Sequence, residues 1–157
     1  GLLHHYSSKD QLLAAVLDER DRRTMSRLPD GDEGTEAALD AWVEMVAHNQ
    51  RHPDGVALYT AMSAAVIDAS HQAYPWFRQH LMATIEYLVD TLERGKATGE
   101  VHPDAPSEQI ARKLVALSDG LQVQWLCSRA DGGRDVDMRA VTAGVVSDIK
   151  DRWLVRS

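Results

Sequence analysis

The sequence predicts an all-α helical bundle, and three observations carry that reading. Apolar residues recur at spacings of three and four along most of the chain, the period of a helix face. Proline and glycine gather at a few breaks between those periodic stretches. No segment alternates apolar and polar residues as a half-buried strand would, and the valines that favour strands sit at helical spacing. With 157 residues, 44% of them apolar, the chain can bury one substantial core.

Leu12, Leu13, Val16 and Leu17 predict a first helix over about 8–27. Ser8 is its N-cap, Gln11 completes a capping box, and Asp10 sits at the positive end of the helix dipole. Pro29, Gly31 and Gly34 mark a loop. Thr35 is placed to cap a second helix, about 36–51, with Leu39, Trp42, Val43 and Val46 on its apolar face. His52-Pro53-Asp54-Gly55 breaks that helix. A third, about 54–69, carries Val56, Leu58, Tyr59, Met62, Val66 and Ile67. These positions wrap most of the way round, which predicts the most buried helix.

Pro75 suits the first position of a long fourth helix, about 75–97, on which Phe77, Leu81, Ile85, Leu88 and Leu92 are spaced at three and four. Gly99 ends it, and Pro103 and Pro106 keep the chain extended. Ser107 is expected to cap a fifth helix, about 107–129, with Ile110, Leu114, Leu117, Leu121 and Leu126 on one face. Ala130-Asp131-Gly132-Gly133 reads as a loop. Asp137 is expected to cap the last helix, about 137–155, striped by Met138, Val141, Val145, Ile149 and Trp153.

The formal net charge is -7, but it is uneven. Residues 1–27 hold five basic and four acidic side chains, a balance of +1, so the remainder carries -8. An acidic body behind a less acidic N-terminal end is expected if contacts with a polyanion lie at and before residue 1. The single cysteine, Cys127, excludes an internal disulfide and fits a cytoplasmic location. No apolar run reaches membrane-spanning length, so no membrane association is expected.

Residues with catalytic or metal-binding potential form no convincing constellation. His48 and His52, four apart with Asp54 nearby, read better as solvated side chains than as metal ligands. His71, His80 and His102 lack ligand spacing. Asp18, Glu19 and Asp21 lie among arginines and read as a solvated face. There is no glycine-rich phosphate loop, no nucleophile elbow and no carboxylate pair with an evident cleft. Neither an enzyme, nor a cofactor, nor a metal is expected.

The opening run Gly1-Leu2-Leu3-His4-His5-Tyr6-Ser7-Ser8-Lys9-Asp10-Gln11-Leu12-Leu13 resembles the end of the helix-turn-helix in TetR-type transcriptional regulators. Leu58-Tyr59-Thr60-Ala61-Met62-Ser63-Ala64, then His71 and Phe77, resemble the middle of their effector domains. Gly99-Glu100-Val101-His102-Pro103-Asp104 and Ala116 to Leu126 resemble their penultimate helix and its approach. Leu3, Ser7 and Ala65 depart from the residues usual at those places. The resemblance implies that residues 1–7 end a DNA-recognition helix whose remainder lies upstream. Residues 8–157 are then an effector-binding and dimerisation domain.

The function so implied is a ligand-responsive, DNA-binding regulator: a repressor released from operator DNA by a small apolar or amphipathic effector. His5, Tyr6 and Lys9 would contact the DNA backbone. The last two helices would form a homodimer through Leu117, Leu121, Trp125, Val141, Val145, Ile149 and Trp153, with Gly120 and Gly144 allowing close approach. The effector pocket would draw on Trp42, Met45, Tyr59, Met62, Ser63, Val66, Trp76, Met82, Ile85, Leu117, Gln122 and Trp125. Within an otherwise apolar wall, Tyr59, Ser63 and Gln122 would supply hydrogen bonds. The alternative is a helical protein-interaction or scaffold domain without specific DNA binding. A four-helix metalloprotein would need Glu-x-x-His pairs, which the sequence lacks.

Overall fold

The computed structural model describes residues 9–29, 33–71, 73–130 and 136–155, with Asp10, Ala65 and Val66 as backbone only. Among the described residues six α-helices follow one another: α1 Lys9–Met25, α2 Thr35–Gln50, α3 Pro53–Ser63, α4 Tyr74–Thr98, α5 Ser107–Ala130 and α6 Met138–Trp153. The Ser8 cap and the turn before it lie outside this range. Asp137 caps α6 as expected, its carboxylate accepting from the Ala140 amide at 3.0 Å. Gly99 ends α4 in the left-handed conformation, φ 80°, which glycine adopts at no steric cost.

Two expectations are corrected. The third helix stops at Ser63 and tightens into a 3₁₀ turn over Ala64–Ile67. It buries only Val56, Tyr59 and Met62, and Ile67 is 88% exposed. Apolar residues on every side do not bury a short helix that has neighbours on only some of them. The most buried helix is α2, which packs on α6, α3 and α4 and buries Ala38, Leu39, Trp42, Val43, Met45, Val46 and Ala47. Nor does Thr35 cap α2. Gly34 occupies the cap position at φ 89°, and Thr35 Oγ1 donates to the Thr91 carbonyl on α4. The amides of the first turn are satisfied from 64 and 65 residues away: Glu100 accepts from the Thr35 amide at 2.8 Å and the Glu36 amide at 3.0 Å. A carboxylate at this end also suits the helix dipole.

Glu100 belongs to a junction that ties together α2, α4 and α6. The Val101 amide donates to the Gly95 carbonyl, the His102 amide to Trp153, and the Val155 amide to Glu100. Val101 and Leu154 form an isolated antiparallel bridge. Gly95 faces this knot; a Cβ there would collide with Thr35 Oγ1 and the Val101 side chain.

The hydrophobic interior has two parts. The larger joins α2, α4, α5 and α6 around Trp42, Leu88, Leu92, Leu114, Trp125 and Met138. The smaller joins α1, α3 and the start of α4 through Leu17, Tyr59, Met62, Ala73 and Phe77.

Gly95→Ala is expected to cost about 1–3 kcal/mol by overpacking, read as a lower urea midpoint. Glu100→Ala is expected to cost about 0.5–2 kcal/mol through loss of the cap. Burial works against ionisation of Glu100, yet the Thr35 and Glu36 amides outweigh it and hold the carboxyl below its ordinary value. The stabilisation is therefore complete above the unfolded value near 4.3 and fades as pH falls through the lower folded value. Acid titration of wild type and Glu100→Ala should converge in that window.

Candidate functional site

A cavity of about 60 Å³ lies at the seam between the two apolar clusters. Its walls come from five helices: Arg20, Asp21, Thr24 and Met25 of α1; Trp42, Met45 and Asn49 of α2; Tyr59 of α3; His80 and Thr84 of α4; Val115, Ser118, Asp119 and Gln122 of α5. Its size suits a few waters or a compact ligand; pockets for drug-sized molecules run to about 300–1,000 Å³. Apolar side chains, Met25, Trp42, Met45 and Val115, share the wall with charged and polar ones, Arg20, Asp21, Asp119 and His80 among them.

The polar groups bridge helices. Arg20 donates from its guanidinium to Asn49 Oδ1 at 3.0 Å, joining α1 to α2. Asp21 Oδ2 lies 2.9 Å from His80 Nδ1, joining α1 to α4. The carboxylate and the ring nitrogen are close without forming an aligned hydrogen bond. Trp76 stacks flat on the His80 ring, centroids 5.1 Å apart, and Tyr59 meets it edge-on. Tyr59 donates to Asp119 Oδ1 at 3.3 Å, joining α3 to α5.

Burial dominates the electrostatics. It pushes the Asp119 carboxyl above its ordinary value, against the Tyr59 hydroxyl and the His80 ring. It pushes the Tyr59 phenol well up, and Asp119 adds to the effect. It lowers the Arg20 guanidinium, which Asp21 and Tyr59 partly restore; an arginine remains protonated nonetheless. Several polar atoms in this cavity have no protein partner at all: Trp42 Nε1, Ser118 Oγ and Gln122 Oε1, each on a residue at most 8% exposed.

No family model matches the sequence, and no curated protein matches it. Among solved structures, the chain matches the crystal structure of a Rhodococcus sp. protein assigned to the TetR family of transcriptional regulators, with a TM-score of 0.75. The match covers 94% of this chain and 79% of that one at 18% identity. The chain has the TetR-type fold.

Within this TetR-type fold the expected pocket residues divide. Trp42, Met45, Tyr59 and Gln122 line the cavity. Trp76 reaches it only through His80. Met62 belongs to the smaller cluster, and Ile85 and Trp125 to the larger. Ser63 Oγ is spent on the Thr60 carbonyl of its own helix. Met82 lines a separate surface depression with Tyr74 and Pro75, Leu117 is half-buried outside the cavity, and the Val66 side chain is outside the described residues. Most of the charged wall was missed. Asp21, read as solvated, has its side chain only 27% exposed, and both it and Asp119 line the cavity. The available signal was spacing: Arg20, Asp21 and Thr24 follow buried Leu17 at three, four and seven residues and share its face.

The other sites divide too. His5 and Tyr6 are outside the described residues; Lys9 is exposed at the start of α1. Leu121, Trp125 and Ile149 complete this chain's own core and leave almost no surface for a partner. Leu117, Val145 and Trp153 are half-buried, Val141 is exposed, and Val123, not anticipated, is exposed as well. A Cβ at Gly120 or Gly144 would meet nothing. Among the described residues no three His, Cys, Asp or Glu side chains come together as metal ligands, and no helix is long and apolar enough to cross a membrane.

Because Asp119 is held above its ordinary value, its folded form favours the proton. Stability is therefore lost as pH rises from the unfolded value near 3.9 through the higher folded one. Asp119→Asn is expected to raise the melting temperature at pH 7, with the gain shrinking toward zero near pH 4 in scanning calorimetry.

Proposed function

We propose that this chain is the ligand-binding and dimerising body of a DNA-binding transcriptional regulator, most simply a repressor released by its ligand. The observation that carries the reading is the contribution of α1 to the cavity wall within a TetR-type fold. Arg20 and Asp21 of α1 reach α2 and α4 across the cavity, and α1 is the helix that follows the turn resembling the end of a helix-turn-helix. A ligand that reorganises these two contacts shifts α1, and with it the separation of two DNA-reading heads. Half-sites on DNA are spaced by about 34–36 Å, one helical turn, so a small shift suffices to lose the operator. The ligand must bind the released state more tightly than the bound one, since equal affinity shifts nothing.

The subunit interface in this reading is the outer face of α5 and α6: Gly120, Val123, Val141, Gly144 and Val145, bordered by Leu117 and Trp153. Two exposed glycines in helix interiors, each costing about 1 kcal/mol relative to alanine, are explained if a second copy packs there. Cytoplasmic location follows from such a role.

Gly144→Lys adds a side chain into open space on the single chain and is expected to leave folding intact while shifting the protein from dimer to monomer in analytical ultracentrifugation. The regulator reading itself is tested by fluorescence anisotropy of the protein, with its upstream DNA-reading residues, on its own promoter DNA across a salt series. A saturable, sequence-preferring complex that weakens steeply with salt is expected. No preference over random duplex would favour the helical interaction-domain reading instead.

A further inference from the structure

We infer that the cavity takes a compact protonated amine that also carries a hydrogen-bond acceptor, its ammonium held by Ser118, Asp119 and Gln122 and its acceptor by the Trp42 indole N–H. This rests on the ligand-site reading above and names the chemistry of that ligand.

The charges of the wall do not cancel. Arg20 is opposed by Asp21, with Asn49 taking its guanidinium from the other side. Asp119 is left with one long hydrogen bond, from the Tyr59 hydroxyl at 3.3 Å. A carboxylate offers about four acceptor positions, and a buried charge is tolerated only when paired and hydrogen-bonded. The lining sets two carboxylates, Asp21 and Asp119, against one guanidinium, Arg20.

The unused hydrogen-bonding capacity lies beside that carboxylate. Ser118 Oγ and Gln122 Oε1 lack partners, and 118, 119 and 122 lie on one side of α5. An ammonium brings three donors and no acceptor, matching three adjacent acceptors. From the α2 wall Trp42 Nε1 is a buried donor with no partner, which calls for an acceptor on the same molecule. The aromatic rings of Trp42 and Tyr59 in the wall also suit a cation. A carboxylate ligand would instead face Asp21 and Asp119, and Arg20 is already engaged by Asn49 and Asp21. About 60 Å³ limits the ligand to a few heavy atoms.

The test is a nitrogen-15 NMR titration of the intact protein at pH 7, following the Trp42 indole N–H with the distant Trp153 indole as reference. The probes are ethanolamine, propylamine, propanol and propionate. Ethanolamine is expected to saturate at roughly millimolar concentration, as befits so few atoms, and propylamine, lacking the acceptor, to bind several-fold more weakly. Asp119→Asn should weaken ethanolamine at least tenfold. Ser118→Ala, which keeps the charge, should weaken it several-fold, and serves if the Asp119 variant does not fold. Tighter binding of propanol or propionate than of ethanolamine, or unchanged ethanolamine binding in both variants, overturns the amine inference and leaves a ligand site of another class. No saturable shift with any probe overturns the ligand-site reading as well.

Discussion

A missing side chain at Gly95 sets one end of the bundle. Because α4 has no Cβ there, Thr35 and Val101 pack directly on its backbone. That approach brings Glu100 to the first turn of α2, where two otherwise unpaired amides need an acceptor. The same segment pairs with the end of α6 through the bridge of Val101 and Leu154. One close contact thus fixes the start of α2, the end of α4 and the end of α6 relative to one another. The larger cluster fills the space those helices enclose. Ion pairs along the α2–α6 seam, Lys150 with Asp40 and Arg139 with Glu44, are exposed and add little.

The opposite design holds where the two clusters meet. A void there could have been closed by larger apolar residues. It is lined instead by two carboxylates, a guanidinium, an imidazole and a phenol, three of them shifted by burial. Buried polar groups without partners are disfavoured in a folded core by about 1–3 kcal/mol each. They are concentrated at one seam, while the larger cluster is almost wholly apolar.

The helical fold was legible because it is written locally. Periodicity, Gly99, Pro75 and Asp137 act within a turn or two of where they sit, so the sequence shows their effect directly. What it concealed depended on contacts distant along the chain. The cap of α2 comes from Glu100, and only folding brings Glu100 to Thr35. The excess of apolar residues on α3 looked like deep burial, but burial depends on how many neighbours the topology supplies. The cavity followed the same rule. Trp42 and Tyr59 stood out as large aromatic residues, whereas Asp21 looked like any charged residue beside arginines. Only its register with Leu17 set it apart. The interface stripe was blurred for a related reason: on α5 and α6, residues that close the chain's own core alternate with those left outside it, and periodicity alone does not separate the two.

The way α1 is held has an energetic consequence. Its one fully buried apolar anchor is Leu17; Leu13 and Met25 are only partly buried, and Arg20 and Asp21 add polar links near the cavity. Proteins open in cooperative units, and a unit with few buried apolar contacts opens at a fraction of the global free energy. On this basis α1 is the segment whose amides exchange with solvent first, while α2, α4, α5 and α6 exchange only on global unfolding. α1 is thereby the helix that costs least to move.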